Sequence, residues 1–343
     1  MVDVTVMGAG IFGLSVAWSC LQRGASVRVI DPNGPGQGAS NGVVGALAPH
    51  VPENWNDKKA FQLESLLMAA PFWAEVQTVS GLSPGYARLG RLQPVADDRA
   101  LELAQARAIN AQTLWQGQAD WQVIRADGLD WAPLTPTGWL IRDTLSARMH
   151  PRQAGAALTA AIRARGGAVL TTGKASGAVV WATGIAGLEE LNAHHHRIVG
   201  NAVKGQGAVL DFAAPVQPQL FADSIHVIPH ENGTTAIGST SERDFDDPSA
   251  TDALLDDVIA RARAAVPALS DAPVIGRWAG LRPRTRSRAP MLGAHPIHQG
   301  QFIANGGFKI GFGMAPKVGQ VMADLVLDGV DTIPEGFRPE ASL

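Results

Sequence analysis

The first thirty residues contain two short apolar runs separated by a helical pattern. Val2–Met7 and Ser26–Ile30 read as buried strands, and Leu14–Gln22 between them has the spacing of an apolar helix that ends at Gly24. A strand, a helix and a second strand at this spacing predict a parallel βαβ unit. The sequence therefore predicts an α/β fold for the part of the chain that starts here.

Helical and strand-like patterns alternate along the rest of the chain. Helical patterns cover residues 50–75, Asp97–Ala111, Arg152–Arg165, Pro248–Val266 and Lys317–Leu327. Strand patterns cover Arg88–Val95 (a pair around Gly90), Ala168–Thr171, Val179–Gly184, Ser224–Pro229, Thr234–Ser239 and Val274–Trp278. The turn Glu231-Asn-Gly233 joins two of these strands and predicts an antiparallel hairpin.

Composition narrows the class of protein. The chain has 343 residues, of which 46% are hydrophobic and 17% charged, so we expect a folded protein with room for two domain-sized units. A net charge of −3 gives no reason to expect nucleic acid or an acidic membrane as a partner. The single cysteine, Cys20, fits core filling and a reducing compartment. Without a charged leader or a membrane-spanning apolar run, we expect a cytoplasmic protein with no integral membrane segment.

The first predicted strand is followed by Gly8-Ala-Gly10-Ile-Phe-Gly13, the spacing of a dinucleotide-binding fingerprint. Gly8 permits a tight turn, Gly10 lets the backbone approach a pyrophosphate, and Gly13 permits close packing of helix on strand. Asp31 follows the second strand and is placed to accept hydrogen bonds from ribose hydroxyls. The fingerprint by itself does not separate NAD from FAD.

A loop of small residues, residues 36–50, comes next and suits a backbone lying along an extended flavin. On this loop and the fingerprint, the sequence resembles the FAD-dependent D-amino-acid oxidase superfamily, in particular glycine oxidase and sarcosine oxidase. The resemblance extends from about Val4 to about Gly329. It implies non-covalent FAD in a Rossmann-type domain, beside a discontinuous α+β substrate domain built on an antiparallel sheet. His50, beside the loop, leaves covalent attachment open, whereas Cys20 does not suit it.

The resemblance also implies a division of the chain and a set of cofactor contacts. The FAD-binding domain is expected to comprise residues 1–48, 145–200 and 276–343, and the substrate-binding domain residues 49–144 and 201–275. The residues implied to bind the cofactor are Gly8, Gly10, Ile11, Phe12, Gly13, Asp31, Ala39, Ser40, Ala46, Leu47, Thr183, Gly184, Gly307, Phe308, Lys309, Ile310 and Gly311. A three-stranded excursion of the family is missing between Leu170 and Val179, so the adenine end is expected to be more exposed or covered from elsewhere.

Two cations lie in glycine-rich segments near the end of the chain. Arg282 stands in a Gly-Leu-Arg-Pro motif, where the family's arginine clamps the substrate carboxylate. The other interpretation is that it is one of five arginines between positions 277 and 288 that face solvent. Lys309, in Gly307-Phe-Lys309, resembles the second cation of the sarcosine oxidase branch, against the alternative of a solvated loop lysine. A helix starting near Met314 would direct its positive end at developing charge.

His226 occupies the position of an active-site tyrosine in relatives. It would hydrogen-bond the substrate carboxylate or amine with a charge that varies near neutral pH, unless it is a surface strand residue. Ala236 replaces the oxygen-activating lysine of the sarcosine branch, which leaves reactivity with oxygen open. The run His194–His196 does not predict a metal site, because consecutive residues do not share a face.

These features predict an oxidoreductase acting on CH–NH or CH–NH2 donors. The expected reaction is FAD-dependent oxidation of the C–N bond of a small amino acid, whether glycine, a D-amino acid or an N-substituted one, by hydride transfer to flavin N5. The product would be an imino acid that hydrolyses to an oxo acid. One alternative is a secondary-amine dehydrogenase subunit that passes electrons to a partner protein rather than to oxygen. Another is a flavin-binding protein without turnover. The sequence leaves open whether the chain forms a homo-oligomer.

Overall fold

The structure is a computed structural model that describes residues 2–343. Its helices are α1 (Ile11–Gln22), α2 (Asp57–Ser80), α3 (Asp98–Leu114), α4 (Pro151–Ala164), α5 (Gly184–His194), α6 (Ala253–Ala265) and α7 (Gly311–Asp328). Its strands are β1 (Val4–Met7), β2 (Val27–Ile30), β3 (Ala46–Leu47), β4 (Arg91–Pro94), β5 (Trp121–Arg125), β6 (Trp139–Asp143), β7 (Ala147–Arg148), β8 (Ala168–Leu170), β9 (Ala178–Trp181), β10 (Gly200–Leu210), β11 (Gln219–Ala222), β12 (Ile225–Pro229), β13 (Thr235–Gly238), β14 (Val274–Thr285), β15 (Met291–Ala294) and β16 (Phe302–Asn305).

One sheet has six strands in the order β15-β16-β9-β1-β2-β8. Its central strands run parallel, and only the edge strand β15 is antiparallel to its neighbour. Val4 and Val6 on one face of β1 and Thr5 on the other are completely buried, as expected for a parallel strand covered on both faces. Helices α1, α2, α4 and α7 pack against one another and contribute to the same apolar core as β1. The predicted βαβ unit is thus the centre of this sheet.

The second sheet has eight strands in the order β14-β10-β13-β12-β11-β4-β6-β5 and is antiparallel except where β11 meets β4. Its longest pairing joins β10 to β14, from Gly200 opposite Thr285 to Leu210 opposite Val274. Leu255 and other apolar residues of α6 pack on one face of the sheet. Val43, from the small-residue loop (residues 36–50), packs on the other face. A two-stranded sheet joins this loop, through β3, to β7.

Several predicted boundaries change in the structure. The strand pair expected around Gly90 is wrong: β4 is a single strand, and Gly90, with φ +82°, forms a turn packed against the Asp143 carbonyl. Helix α5 was not predicted at all, because its start at Thr183-Gly184 reads as a turn. Helix α7 begins at Gly311, three residues before the start expected near Met314 and six before the apolar pattern at Lys317, since its first turn is glycine-rich and Pro316 follows it.

Strand β14 is longer than the predicted Val274–Trp278 and continues to Thr285. The predicted division between residues 275 and 276 therefore falls inside a strand that pairs with β10 along most of its length. Arg282 consequently belongs to the eight-stranded sheet.

The connection between β8 and β9 is the short exposed segment 171–177. The Thr5 hydroxyl donates to the Ser176 carbonyl at 2.6 Å, and Arg28 donates to the Lys174 carbonyl at 2.9 Å. These bonds hold the segment against the parallel sheet, where the sequence predicted that an excursion is missing. Within residues 2–343, no helix combines the length and the apolar character that crossing a bilayer requires.

Candidate active site

The fingerprint glycines lie where β1 turns into α1. Gly8 has φ +105°, and a methyl group there would overlap the Ala182 carbonyl of the neighbouring strand connection. A methyl group on Gly13 would overlap the Gly8 carbonyl, so the helix can pack this closely only with glycine. Asp31, after β2, accepts hydrogen bonds from the Ala9 N–H at 2.8 Å and the Asn33 N–H at 3.0 Å. The backbone thus fixes this carboxylate beside the glycine turn.

The start of α1 is open to an anion. A methyl group on Gly10 would meet only the Ser40 hydroxyl, at 3.4 Å, so the backbone here can be approached closely. Ile11 is the first residue of the helix, and its N–H donates to Ser40 Oγ at 2.9 Å. Gly10 is the N-cap residue and has no side chain that could cap the helix. The N–H groups at the positive end of a helix suit a pyrophosphate. The chemistry of these residues fits a dinucleotide such as FAD.

The predicted flavin contacts surround the same edge of the parallel sheet. Ala39 and Ser40 form a short 3-10 turn, and Ala46 and Leu47 form β3. A methyl group on Gly307 would lie 3.0 Å from Phe12 of α1, so this turn contacts the fingerprint helix. The turn leads through Phe308, Lys309 and Ile310 into Gly311, the first residue of α7.

Thr183 and Gly184 stand at the start of α5, beside this turn. The buried Asn305 donates from Nδ2 to the Gly184 carbonyl at 2.9 Å, and so ties the end of β16 to α5. Asn305 was not singled out from the sequence, where only its place before Gly306-Gly307 marks it.

Arg282 is 9% exposed and lies flat over Gly205, where a methyl group would overlap its guanidinium. It donates to the Ser239 hydroxyl at 2.6 Å and to the Thr240 carbonyl at 3.1 Å. Burial lowers the pKa of Arg282 to about 10, and the negative charge of Glu242 opposes part of this effect. Within residues 2–343, no carboxylate lies within ion-pair distance of this guanidinium. The burial of Arg282 argues against the alternative interpretation, in which it is one of the solvated arginines of this segment.

A polar network holds the segment that carries these two acceptors. The Gln206 N–H donates to the Thr240 hydroxyl at 2.8 Å, and that hydroxyl donates to Glu242. Gln206 Nε2 reaches Glu242 at 3.1 Å and Asp252 at 2.8 Å. The buried Lys204 ammonium lies 3.6 Å from Glu242 and 3.2 Å from Asp252. The segment that accepts hydrogen bonds from Arg282 is therefore held in place by the ion pairs of Lys204 with Glu242 and Asp252.

His226 lies on β12 opposite Gly238, with its ring 4.6 Å from the Phe221 ring. Its Nδ1 is shielded from solvent and has no hydrogen-bond partner within residues 2–343. Burial, followed by the charges of Arg91, Lys309 and Arg282, lowers the pKa of His226 to about 3. The expectation of a charge that varies near neutral pH is wrong, because His226 is neutral there. The half-buried side chain, with its Nδ1 shielded from solvent, also argues against a surface strand residue.

Lys309 is exposed and its ammonium lies 5.7 Å from the centre of the Phe308 ring. It borders a cavity of about 370 Å³ together with Phe308 and Ile310. Although the residue is exposed, partial desolvation of its ammonium, followed by the charges of Arg282 and Arg284, lowers the pKa of Lys309. The other basic side chains at this cavity, none of them singled out as a substrate contact from the sequence, are His50, Lys58, Arg243, Arg284 and Arg288. Arg243 and Lys58 lie far apart in the chain, so no sequence motif could have linked them.

His50 contributes the edge of this cavity nearest the small-residue loop. Its backbone N–H donates to Gln62 Oε1 at 2.7 Å, and its Nδ1 meets the same oxygen. Burial lowers the pKa of His50. Elsewhere, Cys20 is buried in α1, and burial raises its thiol pKa to about 12. Within residues 2–343, no three His, Cys, Asp or Glu side chains are grouped as a metal site requires.

A Rossmann-type sheet with a helix start open to an anion, joined to an antiparallel sheet that carries buried cations, defines a dinucleotide-binding protein. The model of the DAO family, described as FAD dependent oxidoreductase, matches residues 3–325. The chain belongs to this family and is an FAD-dependent oxidoreductase. The predicted family, cofactor and α/β fold class are confirmed.

Known relatives match along nearly the whole chain. Glycine oxidase of Geobacillus kaustophilus strain HTA426 is 22% identical, over 94% of this chain and 92% of its own. The structure of iminodiacetate oxidase from Chelativorans sp. BNC1 has a TM-score of 0.81 at 22% identity, covering 98% of this chain and 99% of that one. That of L-proline dehydrogenase from P. horikoshii has a TM-score of 0.80 at 19% identity, covering 98% and 96%. At these identities the two structures establish the fold.

Proposed function

We propose that this protein oxidises the C–N bond of a small amino acid, glycine, a D-amino acid or an N-substituted one, to an imino acid that then hydrolyses to an oxo acid. In this proposal Arg282 and Lys309 bind the substrate carboxylate, and His226 contacts the amine or carboxylate as a neutral group. The observation that carries the proposal is the buried Arg282 guanidinium without a carboxylate partner in residues 2–343. A buried charge of this kind is costly unless a ligand pairs with it.

The charges around His226 also favour the reactive form of the substrate. An amine must lose its extra proton before its C–N bond is oxidised. Burial, and after it the charges of Arg91, Lys309 and Arg282, lower the pKa of His226, and we propose that the same surroundings lower the pKa of a substrate ammonium bound beside it. With a pKa of about 3, His226 is a weak base, so we propose that it orients the amine while solvent takes the proton.

FAD, when bound, supplies the two-electron acceptor. The residues proposed to hold it are Gly8, Gly10 and Gly13 at the pyrophosphate, Asp31 at the ribose, and the small-residue loop with the turn 307–311 at the flavin. Gly311 begins α7, so the positive end of this helix lies beside that turn and favours negative charge there. The association with FAD is proposed to be non-covalent, since His50 Nδ1 is engaged by Gln62.

A dehydrogenase that passes electrons to another acceptor is the second candidate. Ala236, where the sarcosine branch has a lysine, is completely buried and packs against Val43 of the small-residue loop. The buried Lys204 does not replace that lysine, because it is paired with Glu242 and Asp252. No ammonium therefore reaches this side of the loop from β13, which favours slow reaction with oxygen.

The proposed division of the chain follows the two sheets. Residues 1–48, 145–200 and 286–343 supply the FAD-binding part, and residues 49–144 and 201–275 the substrate part, with residues 276–285 of β14 joining the latter. The proposed location is the cytoplasm, on the sequence argument of a single cysteine.

Anaerobic reduction of the holoenzyme tests the proposed function. Glycine, sarcosine, iminodiacetate and small D-amino acids are mixed one at a time with the oxidised protein, and loss of flavin absorbance is followed. At least one of them is expected to bleach the flavin completely. Failure of every amino acid to do so would favour a flavin-binding protein without turnover. The rate of recolouring in air then separates an oxidase from a dehydrogenase.

A further inference from the structure

The cavity beside Lys309 is bordered by more cations than one carboxylate needs. Among the residues that the structure describes, 2–343, no aspartate or glutamate lines it. Its volume of about 370 Å³ lies within the range of small-molecule pockets. The basic side chains on its walls, apart from Lys309 and His50, are Lys58, Arg243, Arg284 and Arg288, here called the mouth cations.

The mouth cations are not neutralised by the protein. Within residues 2–343, none of them lies within 4.0 Å of a carboxylate oxygen. Other arginines of this chain do find acids: Arg107 pairs with Glu53 at 2.6 Å, and Arg261 pairs with Asp223 at 2.6 Å. The mouth cations therefore differ from the ordinary ion-paired surface of this protein.

The mouth cations also repel one another. The pKa of Arg284 is lowered by burial and then by Arg288 and Arg243. The pKa of Lys58 is lowered by burial and then by Arg288, whose backbone carbonyl accepts a hydrogen bond from the Lys58 ammonium. Like charges held together oppose folding, so stability does not explain this arrangement. An anion bound among them would offset the repulsion.

Geometry connects the mouth to the proposed carboxylate clamp. Arg284 follows Arg282 by two residues on β14, so the two side chains start from the same face, about 7 Å apart at their Cα atoms. The Arg284 guanidinium and the Lys309 ammonium both lie 5.7 Å from the centre of the Phe308 ring. Arg284 therefore shares a strand face with the buried Arg282 and the Phe308 ring with Lys309, which links the clamp to the mouth.

We propose that the substrate carries a second carboxylate, which the mouth cations bind while Arg282 and Lys309 hold the first. The inference rests on the proposed function and narrows its substrate class to dicarboxylic amino acids, either N-carboxymethyl amines or acidic D-amino acids. Iminodiacetate and D-aspartate represent this class. Sarcosine and D-alanine are the matching monocarboxylates, because each lacks only the second acid group.

The test compares the two substrates of each pair on the holoenzyme, as kcat/KM from flavin reduction under anaerobic conditions. At least one dicarboxylate is expected to exceed its matching monocarboxylate by about tenfold or more, the effect of a charged hydrogen bond. Arg284→Gln should lower the kcat/KM of that dicarboxylate about tenfold more than that of the monocarboxylate. Arg284→Lys, which keeps the charge, should retain most of the preference.

Arg286→Gln is the matched control. Arg286 lies two residues from both Arg284 and Arg288, is exposed, and does not line the cavity; its side chain donates to the Leu343 carbonyl. Its loss removes the same charge from the same segment, so it should change both substrates of a pair equally. The preference should also fall with rising ionic strength in the parent protein.

The possible outcomes separate this inference from the proposed function. If monocarboxylates reduce the flavin and neither dicarboxylate is preferred, the second carboxylate site is wrong while amino-acid oxidation stands. The same conclusion follows if Arg284→Gln and Arg286→Gln lower the preference equally. If no amino acid of either class reduces the flavin, both proposals fail. A preference lost in Arg284→Gln and kept in Arg284→Lys and Arg286→Gln supports the inference.

Discussion

Two buried cations on adjacent strands of the same sheet have different kinds of partner. Lys204 of β10 is 2% exposed and Arg282 of β14 is 9% exposed. Arg282 pairs with Val203 across the strands and Lys204 pairs with Leu281, so the two side chains point to opposite faces. On one face Glu242 and Asp252 neutralise Lys204, whereas Arg282 has only neutral acceptors within residues 2–343. The comparison separates a charge that stabilises the fold from one that is available to a ligand.

Loss of Arg282 should give the largest effect. Arg282→Ala removes the proposed bidentate partner of the substrate carboxylate. It should lower kcat/KM by a factor that corresponds to about 3–5 kcal/mol of transition-state free energy, with FAD still bound. Arg277→Ala is the control, because Arg277 lies on the same strand but pairs with Asp256 on the surface. Steady-state kinetics and the affinity of a carboxylate inhibitor measure the effect. Unchanged inhibitor affinity in Arg282→Ala would show that Arg282 does not bind the substrate carboxylate.

Lys204→Met should mainly reduce stability. It leaves Glu242, which is 9% exposed, without its cation, while Asp252 is 47% exposed and keeps access to water. We expect the free energy of unfolding to fall by about 2–4 kcal/mol in urea denaturation. Arg261→Met breaks the surface pair with Asp223 and should cost less than about 1 kcal/mol. Equal losses in the two variants would show that burial does not distinguish them.

Gly205→Ala tests the position of the Arg282 guanidinium over Gly205 without removing its charge. The new methyl group would overlap the guanidinium, so Arg282 must move and KM should rise by the equivalent of about 1–3 kcal/mol. Gly276→Ala is the matched change on the partner strand, where a methyl group would lie at an ordinary 3.5 Å from Val209. A normal KM in Gly205→Ala would mean that the position of Arg282 does not matter for substrate binding.

The pH dependence of stability should show the smallest effect. His226 has a pKa of about 3 when folded and about 6.5 in an unfolded chain, so unfolding takes up a proton between these values. Its contribution is complete above pH 6.5 and is lost as the pH falls towards 3, which amounts to about 1 kcal/mol at pH 6. His226→Phe should therefore flatten the fall in unfolding free energy between pH 7 and pH 5. An unchanged slope would contradict a neutral His226.

The sequence predicted the nucleotide half of the molecule more completely than the substrate half. Gly8, Gly10, Gly13 and Asp31 lie within one continuous βαβ unit, so their spacing alone determines how they meet. Arg282 and Lys309 are predicted as substrate contacts because each lies in a local glycine-rich motif, and these two assignments stay predictions.

The mouth cations were missed for a different reason. Arg284 and Arg288 read as solvated members of an arginine-rich segment, and Lys58 and Arg243 come from distant segments that only the tertiary fold brings together. The electrostatic state of His226 likewise depends on Arg91, Arg282 and Lys309, which no sequence pattern connects to it.

One backbone contact bears on how this enzyme can be redesigned. The Phe308 N–H donates to the Pro283 carbonyl at 3.1 Å, which joins the turn carrying Lys309 to the strand carrying Arg282. Because main-chain atoms make this joint, side chains at the mouth can be exchanged while the spacing of the two inner cations is preserved. Arg243, which is exposed and comes from a separate segment, is the most accessible position for such exchanges. Variants substituted at the mouth can therefore be screened for activity on new substrates while the spacing of Arg282 and Lys309 stays the same.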